Sequence, residues 1–309
     1  NGELITSTDP IRLGVNGGVN LTGPTGSGYL ELPWEVTGTD VTVTGNVSVA
    51  AVTATNVTVA TGSKLTHPAG SKLTLAVSGT LQVNGEIDVT GRGYGPGANA
   101  TYPGAGAAGA YGGGSHMGQG WGNTNPLATF GSVYRASEAG GGATNGVGGG
   151  VVRIDAVNGT VVINGAIRAN GSGTGAGAGA GGSIWLTAGV LSGTGVVEAK
   201  GGVPPGANNG GGGGGAVSIE YLGGAGLGTN QMLANGGKGC CGGDGSAGTV
   251  YVKAPGSTYG TLRVSNETTP PRTGTVLPWL GNGTAGGQTA GSILDVTPTT
   301  PAGYLMGHW

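Results

Sequence analysis

The sequence predicts an all-β fold: a right-handed parallel β-helix-like solenoid with stacked glycine-rich loops and minimal helix. Two observations carry this reading. Four segments, GGVVRIDA, GGSIWLTA, GGAVSIEY and AGTVYVKA, repeat one pattern, and their Val152, Ile184, Val217 and Val250 stand 32, 33 and 33 positions apart. A fixed period of that size marks a stacked array, in which each repeat buries its apolar face only against its neighbours. Residues 39–90 also alternate Val, Leu or Ile with Thr or Ser, the signature of half-buried strands.

In chain order, residues 1–37 lack the repeat and hold one apolar patch, Tyr29 to Val36, so they read as an N-terminal cap or arm. Residues 38–268 read as the solenoid. Its first tiers, up to residue 90, have tight turns. A glycine- and aromatic-rich insertion follows at 91–150, then the four long repeats. Residues 269–309 are rich in Pro, Thr and Gly and read as a C-terminal tail and assembly segment. Each long repeat also carries a second short strand. Aligning NGEIDVTG, NGAIRANG, TGVVEAKG, NQMLANGG and YGTLRVSN puts Ile87, Ile167, Val197, Met232 and Leu262 in one inward column. The next positions, Asp88, Arg168, Glu198, Leu233 and Arg263, then form a column of mostly alternating charge. Neighbouring strands lie about 4.8 Å apart, so such pairs select register. Exposed pairs contribute at most about 1 kcal/mol each. The aliphatic ladders, Val152, Ile154, Ile184, Leu186, Val217, Ile219, Val250 and Val252, must supply the core.

Glycine accounts for 76 of the 309 residues and proline for 15, a composition that in an aperiodic chain signals disorder. The period argues against that, and glycine does not recur at every third position as collagen requires. The glycines concentrate in loops 169–182, 201–215 and 235–248. Flexible linkers have no reason to keep a period. Near-equal loop lengths therefore favour ordered loop-on-loop packing, in extended polyglycine-II-like segments. At this point GGSIWLTAGVLSGTGVVEAKGG, GGGGAVSIEY and AGTVYVKAPGSTYGTLRVSN make residues 140–268 similar to the glycine-rich repeat regions of large secreted bacterial surface proteins of adhesin type. That resemblance implies a parallel β-helix or related β-solenoid in an extracellular setting, and specifies no activity.

Charged residues are 8% of the chain and the net charge is -2. There is no basic stripe for nucleic acid and no apolar run of the roughly 18 residues that a membrane helix needs. The chain opens at Asn1 without a signal peptide, as a processed or trimmed form would. Low charge with abundant Thr, Ser, Gly and Asn fits an extracellular or cell-surface product. Eight Asn-x-Ser/Thr sequons, at Asn20, Asn46, Asn56, Asn99, Asn158, Asn170, Asn266 and Asn282, are permissive of glycosylation.

The sequence nominates no catalytic residue, cofactor or metal site. The acids are thinly spread, and Glu86 with Asp88 and Glu198 with Lys200 read as solvated register pairs rather than an acid–base pair. His67, His116 and His308 read as ordinary turn, loop or tail residues. Asp244, in GGDGSAGTV, is a single weak match to a calcium-binding repeat. Cys240 and Cys241 are adjacent and leave three states open: a vicinal disulfide, a bond to another subunit, or free thiols. Trp185 and Tyr251 fall in one outward column with Arg153 and Ser218. Such a column either binds sugar rings or protein, or packs under the glycine-rich loops; burial of aromatic area favours packing. With Tyr102, Tyr111 and Trp121 of the insertion, Trp185, Tyr251 and Arg153 are the candidate binding residues. The expected function is a structural subunit of a self-assembling filament, sheath or matrix, with self-association as the main partnership. The alternative is an adhesin or host-recognition tip that binds surface glycans. A polysaccharide-degrading enzyme ranks last.

Overall fold

The computed structural model describes residues 12–14, 17–96, 111–122, 129–173, 175–206, 209–240, 243–267 and 275. It is all-β: sixteen strands form one sheet, and the only helical element among these residues is a three-residue 3-10 turn at Thr229–Gln231. The strands are β1 (Arg12–Gly14), β2 (Gly18–Thr22), β3 (Leu30–Thr44), β4 (Asn46–Val59), β5 (Lys64–Thr66), β6 (Leu73–Val77), β7 (Thr80–Val83), β8 (Glu86–Asp88), β9 (Val151–Ile163), β10 (Ala166–Arg168), β11 (Ser183–Ser192), β12 (Val196–Glu198), β13 (Ala216–Gly223), β14 (Met232–Leu233), β15 (Thr249–Lys253) and β16 (Thr261–Arg263).

Every pairing except the last is parallel. The long strand β4 serves three ladders in succession: its residues 46–48 pair with β5, 51–54 with β6 and 57–59 with β7. β6 and β7 both continue onto β9, so these four strands close a circuit of pairings. One ladder then runs β9–β11–β13–β15 and another β8–β10–β12–β14. The register is the one the repeats predict. Val152, Ile184, Val217 and Val250 stand opposite one another, as do Ile87, Ile167, Val197 and Met232. A one-residue slip would turn every buried side chain outward. The alternation that forbids it is visible in β6 and β7, where Leu73, Leu75, Val77, Leu81 and Val83 are buried and the residues between them are only partly so. The inward residues of all these ladders merge into one apolar core, from Val19 to Val250.

The last strand departs from the alignment. Leu262 does not follow Met232 in the inward column. β16 folds back antiparallel on β15, with Leu262 opposite Tyr251, and Leu262 is exposed. The physical reason is termination. β16 is short, and its Arg263 guanidinium donates to the carbonyl of Met232, so one segment covers the free edges of both β15 and β14. Asn266 completes the cover: its side chain accepts from the Gly236 amide at 2.6 Å and donates to the Gly245 carbonyl at 2.9 Å.

The glycine-rich loops are packed rows. Residues 209–214 form hydrogen bonds to six neighbouring rows: Gly181 donates to Gly213, Gly213 to Gly114, Gly212 to Gly202, Gly237 to Gly212, Gly214 to Ser246, and Gly118 to Gly214, all between 2.7 and 3.1 Å. A strand in a flat sheet has two neighbours, so this is a lattice in which bonds radiate around each chain's axis. Such spacing leaves no room for side chains. A Cβ built on Gly212 would fall well inside contact with the Gly179 carbonyl oxygen, and one on Gly213 would do the same at Gly118. The insertion supplies part of this lattice through its residues 111–122 and 140–150.

Candidate functional site

The nominated column assembles on one face of the β9–β11–β13–β15 ladder. Arg153, Trp185, Ser218 and Tyr251 are consecutive cross-strand partners. The Arg153 guanidinium lies 3.8 Å from the Trp185 ring centroid, a cation–π contact. The rest of the column is covered from above by residues 131–139, which cross the strands as a strap. The Ser218 hydroxyl donates to the Tyr134 carbonyl at 2.7 Å, and the Ser183 hydroxyl to that of Glu138 at 2.6 Å. Lys72 donates to the Ser137 carbonyl at 2.7 Å. Tyr134 meets the Tyr251 ring edge to face, with centroids 4.9 Å apart, and Tyr251 is buried. Trp185 packs with Val133 against a small cluster of Met117, Ala136 and Ala216. Packing therefore occupies this column, and the cover comes from the insertion more than from the glycine loops.

Of the insertion aromatics, Tyr111 is exposed, and its carbonyl accepts from Gly210. Trp121 is half-buried over Gly210 and Gly243, where a Cβ would strike its ring. Tyr102 lies outside the described residues. Cys240 is disulfide-bonded; Cys241, the other cysteine of the chain, also lies outside them.

The charged column joins strands β5, β8, β10 and β12. Arg168 stands opposite Asp88 on one side and Glu198 on the other. Lys64 reaches Asp88 at 2.7 Å and Glu86 at 3.6 Å, Arg168 bonds Glu86 and Glu198, and Lys200 closes on Glu198 at 2.7 Å. Sequence reasoning missed Lys64, because β5 sits in a short tier outside the long repeat. Burial alone would lower Lys64 and raise Asp88. Their mutual bond outweighs it, so Lys64 is held above and Asp88 below the ordinary range. Burial likewise opposes Glu198 ionisation, but Lys200, Asn170 and Arg168 hold its carboxyl low. Asp88 and Glu198, both held low beside cations, are not set up as proton donors near neutral pH.

His67 and His116 lie in loop segments, and both are fully buried there. His116 lies inside the glycine lattice, its Nδ1 donating to the Gly181 carbonyl at 2.8 Å and its ring 5.0 Å from that of Phe130. Its Nε2 has no hydrogen-bond partner, and burial lowers its pKa to about 4. Burial also lowers His67. His308 lies outside the described residues. Asp244 accepts from the Gly239 amide at 2.8 Å. No group of three or more His, Cys, Asp or Glu gathers among the described residues.

The sequons divide by environment. Asn20 and Asn158 are exposed. Asn46 donates to the Gly28 carbonyl, Asn56 to Asp40 and Asn170 to Glu198. Asn266 is buried with both ends of its amide engaged. Asn99 and Asn282 lie outside the described residues. With this geometry in hand, comparison with known proteins adds nothing: no family model, no curated protein and no solved structure matches the chain.

Proposed function

We propose that this chain is an extracellular structural protein, a subunit of a self-assembling filament, sheath or matrix, and not an enzyme. Its ladders wind as a right-handed parallel β-helix. The glycine lattice carries the reading. Loops that would serve an enzyme or receptor as mobile, side-chain-rich elements are here locked row against row by backbone bonds. Residues spent on such a lattice contribute stiffness and little chemistry. Self-association is favoured by the difference between the two ends. β16 and Asn266 cover the last strands, whereas among the described residues β1 and β2 each pair on one edge only, with β3. An unpaired parallel edge is a template for another chain. Negative-stain microscopy of purified protein tests this: filaments or ordered sheets are the expected result, and dispersed monomers at all concentrations would overturn it. Removing residues 269–309, the proposed assembly segment, should abolish the polymers.

A further inference from the structure

A groove of about 510 Å³, lined by polar and apolar groups in comparable measure, runs along the corner where the short strands β5, β8, β10 and β12 begin. It crosses several tiers, and turn glycines Gly62, Gly85, Gly165 and Gly195 line it. Such a volume lies within the range of ligand sites. We propose that this groove binds an extended neutral oligosaccharide, laid across the tiers. This site is separate from the aromatic column and from the insertion, and it does not depend on the assembly reading.

Three features assign the ligand class. The first is charge balance. Lys64, Glu86 and Arg168 line one side, and each cation faces a carboxylate: Lys64 contacts Glu86 and Asp88, and Arg168 contacts Glu86 and Glu198. An anionic ligand meets Glu86 and a cationic one meets Arg168, so neither charge is favoured. A hydroxyl donates to the first and accepts from the second. The second is the amide ladder. Asn84 and Asn164 of neighbouring tiers also line the groove, with the Asn164 amide donating to Asn84 Oδ1 at 3.0 Å, so amide donors and acceptors sit on two adjacent tiers. The spacing of such groups follows the roughly 4.8 Å step between strands. The third excludes a peptide strand. β8 is paired on both edges, by β5 and β10, and β10 by β8 and β12, so no free backbone edge is available for strand addition.

The test uses the full chain and calorimetric or NMR titration with neutral hexaoses of glucose (α- and β-linked) and mannose. A uronic-acid hexamer, a glucosamine hexamer and a neutral Gly-Ser-Thr peptide are the controls. At least one neutral hexaose should saturate the protein, and each control should bind at least tenfold more weakly. Thr194 lines the groove and is exposed, so Thr194→Trp fills it without removing a buried contact. This variant should keep the parent melting temperature and lose at least tenfold in affinity. Asn164→Ala, a smaller change, should lose affinity without filling the groove. Absence of binding by every neutral hexaose overturns the proposal, as does equal binding of a charged hexamer or the peptide, or undiminished binding by Thr194→Trp. Filaments in the same preparation would leave the assembly reading standing even then.

Discussion

Gly212 and Gly26 are the same residue type under opposite constraints. Gly212 sits where a Cβ would overlap the Gly179 carbonyl oxygen, while nothing lies within 4 Å of the same position on Gly26. Gly212→Ala should therefore destabilise by about 2 kcal/mol or more, as overpacking does. Gly26→Ala should stay within about 0.5 kcal/mol of the parent; paired denaturant titrations measure both. His116 gives a pH signature at the same scale. Its folded pKa of about 4 lies below its ordinary value of 6.5. The unfolded chain therefore binds the proton first, and the stability due to the neutral ring is intact above about pH 6.5 and is lost as pH falls toward 4. Over that window the cost approaches about 3 kcal/mol. His67 acts in the same direction, and the low carboxyls of Asp88 and Glu198 add their loss only below the ordinary carboxylate range. Stability followed from pH 7 to 4.5 should fall in the parent and fall less in His116→Gln.

At the scale of elements, the strands were legible and the last of them was not. Val152, Ile184, Val217 and Val250 could be aligned because a parallel ladder repeats its inward side chain at each tier, which leaves a trace in sequence spacing. Arg168 could likewise be placed between Asp88 and Glu198. YGTLRVSN fits the same pattern locally, yet β16 runs antiparallel. A three-residue strand carries too little pattern to fix its direction, and what reverses it is the need to close an open edge. The strap at 131–139 was invisible for a related reason. It is held by its own carbonyls, which accept from Ser183, Ser218 and Lys72, and backbone acceptors are common to every sequence. Its side chains gave no pattern that would place it over Trp185 and Tyr251.

Across the whole molecule, the lattice and the ladders share their backbone. The same chain that forms β10 continues into the row at 169–173, and the row at 178–182 continues into β11. Melting the glycine rows alone would strip the bonds of six neighbouring rows from residues 209–214. Amide hydrogen exchange should therefore find Gly181 and Gly212 to Gly214 as protected as the central residues of β9 and β11. Rapid exchange at those glycines, with slow exchange in the strands, would mark them as linkers instead. The sequence by itself determined the all-β class, the pairing register and the order in the glycine loops, because periodic burial and near-equal loop lengths are properties of a linear string. Only the tertiary structure decided which surfaces are free. The aromatic column is covered by a distant strap, two histidines are buried among glycines, and the charged column lies beside a groove built from four separate turns. Each of these depends on segments far apart in the chain meeting in space, and no local pattern of residues records such a meeting.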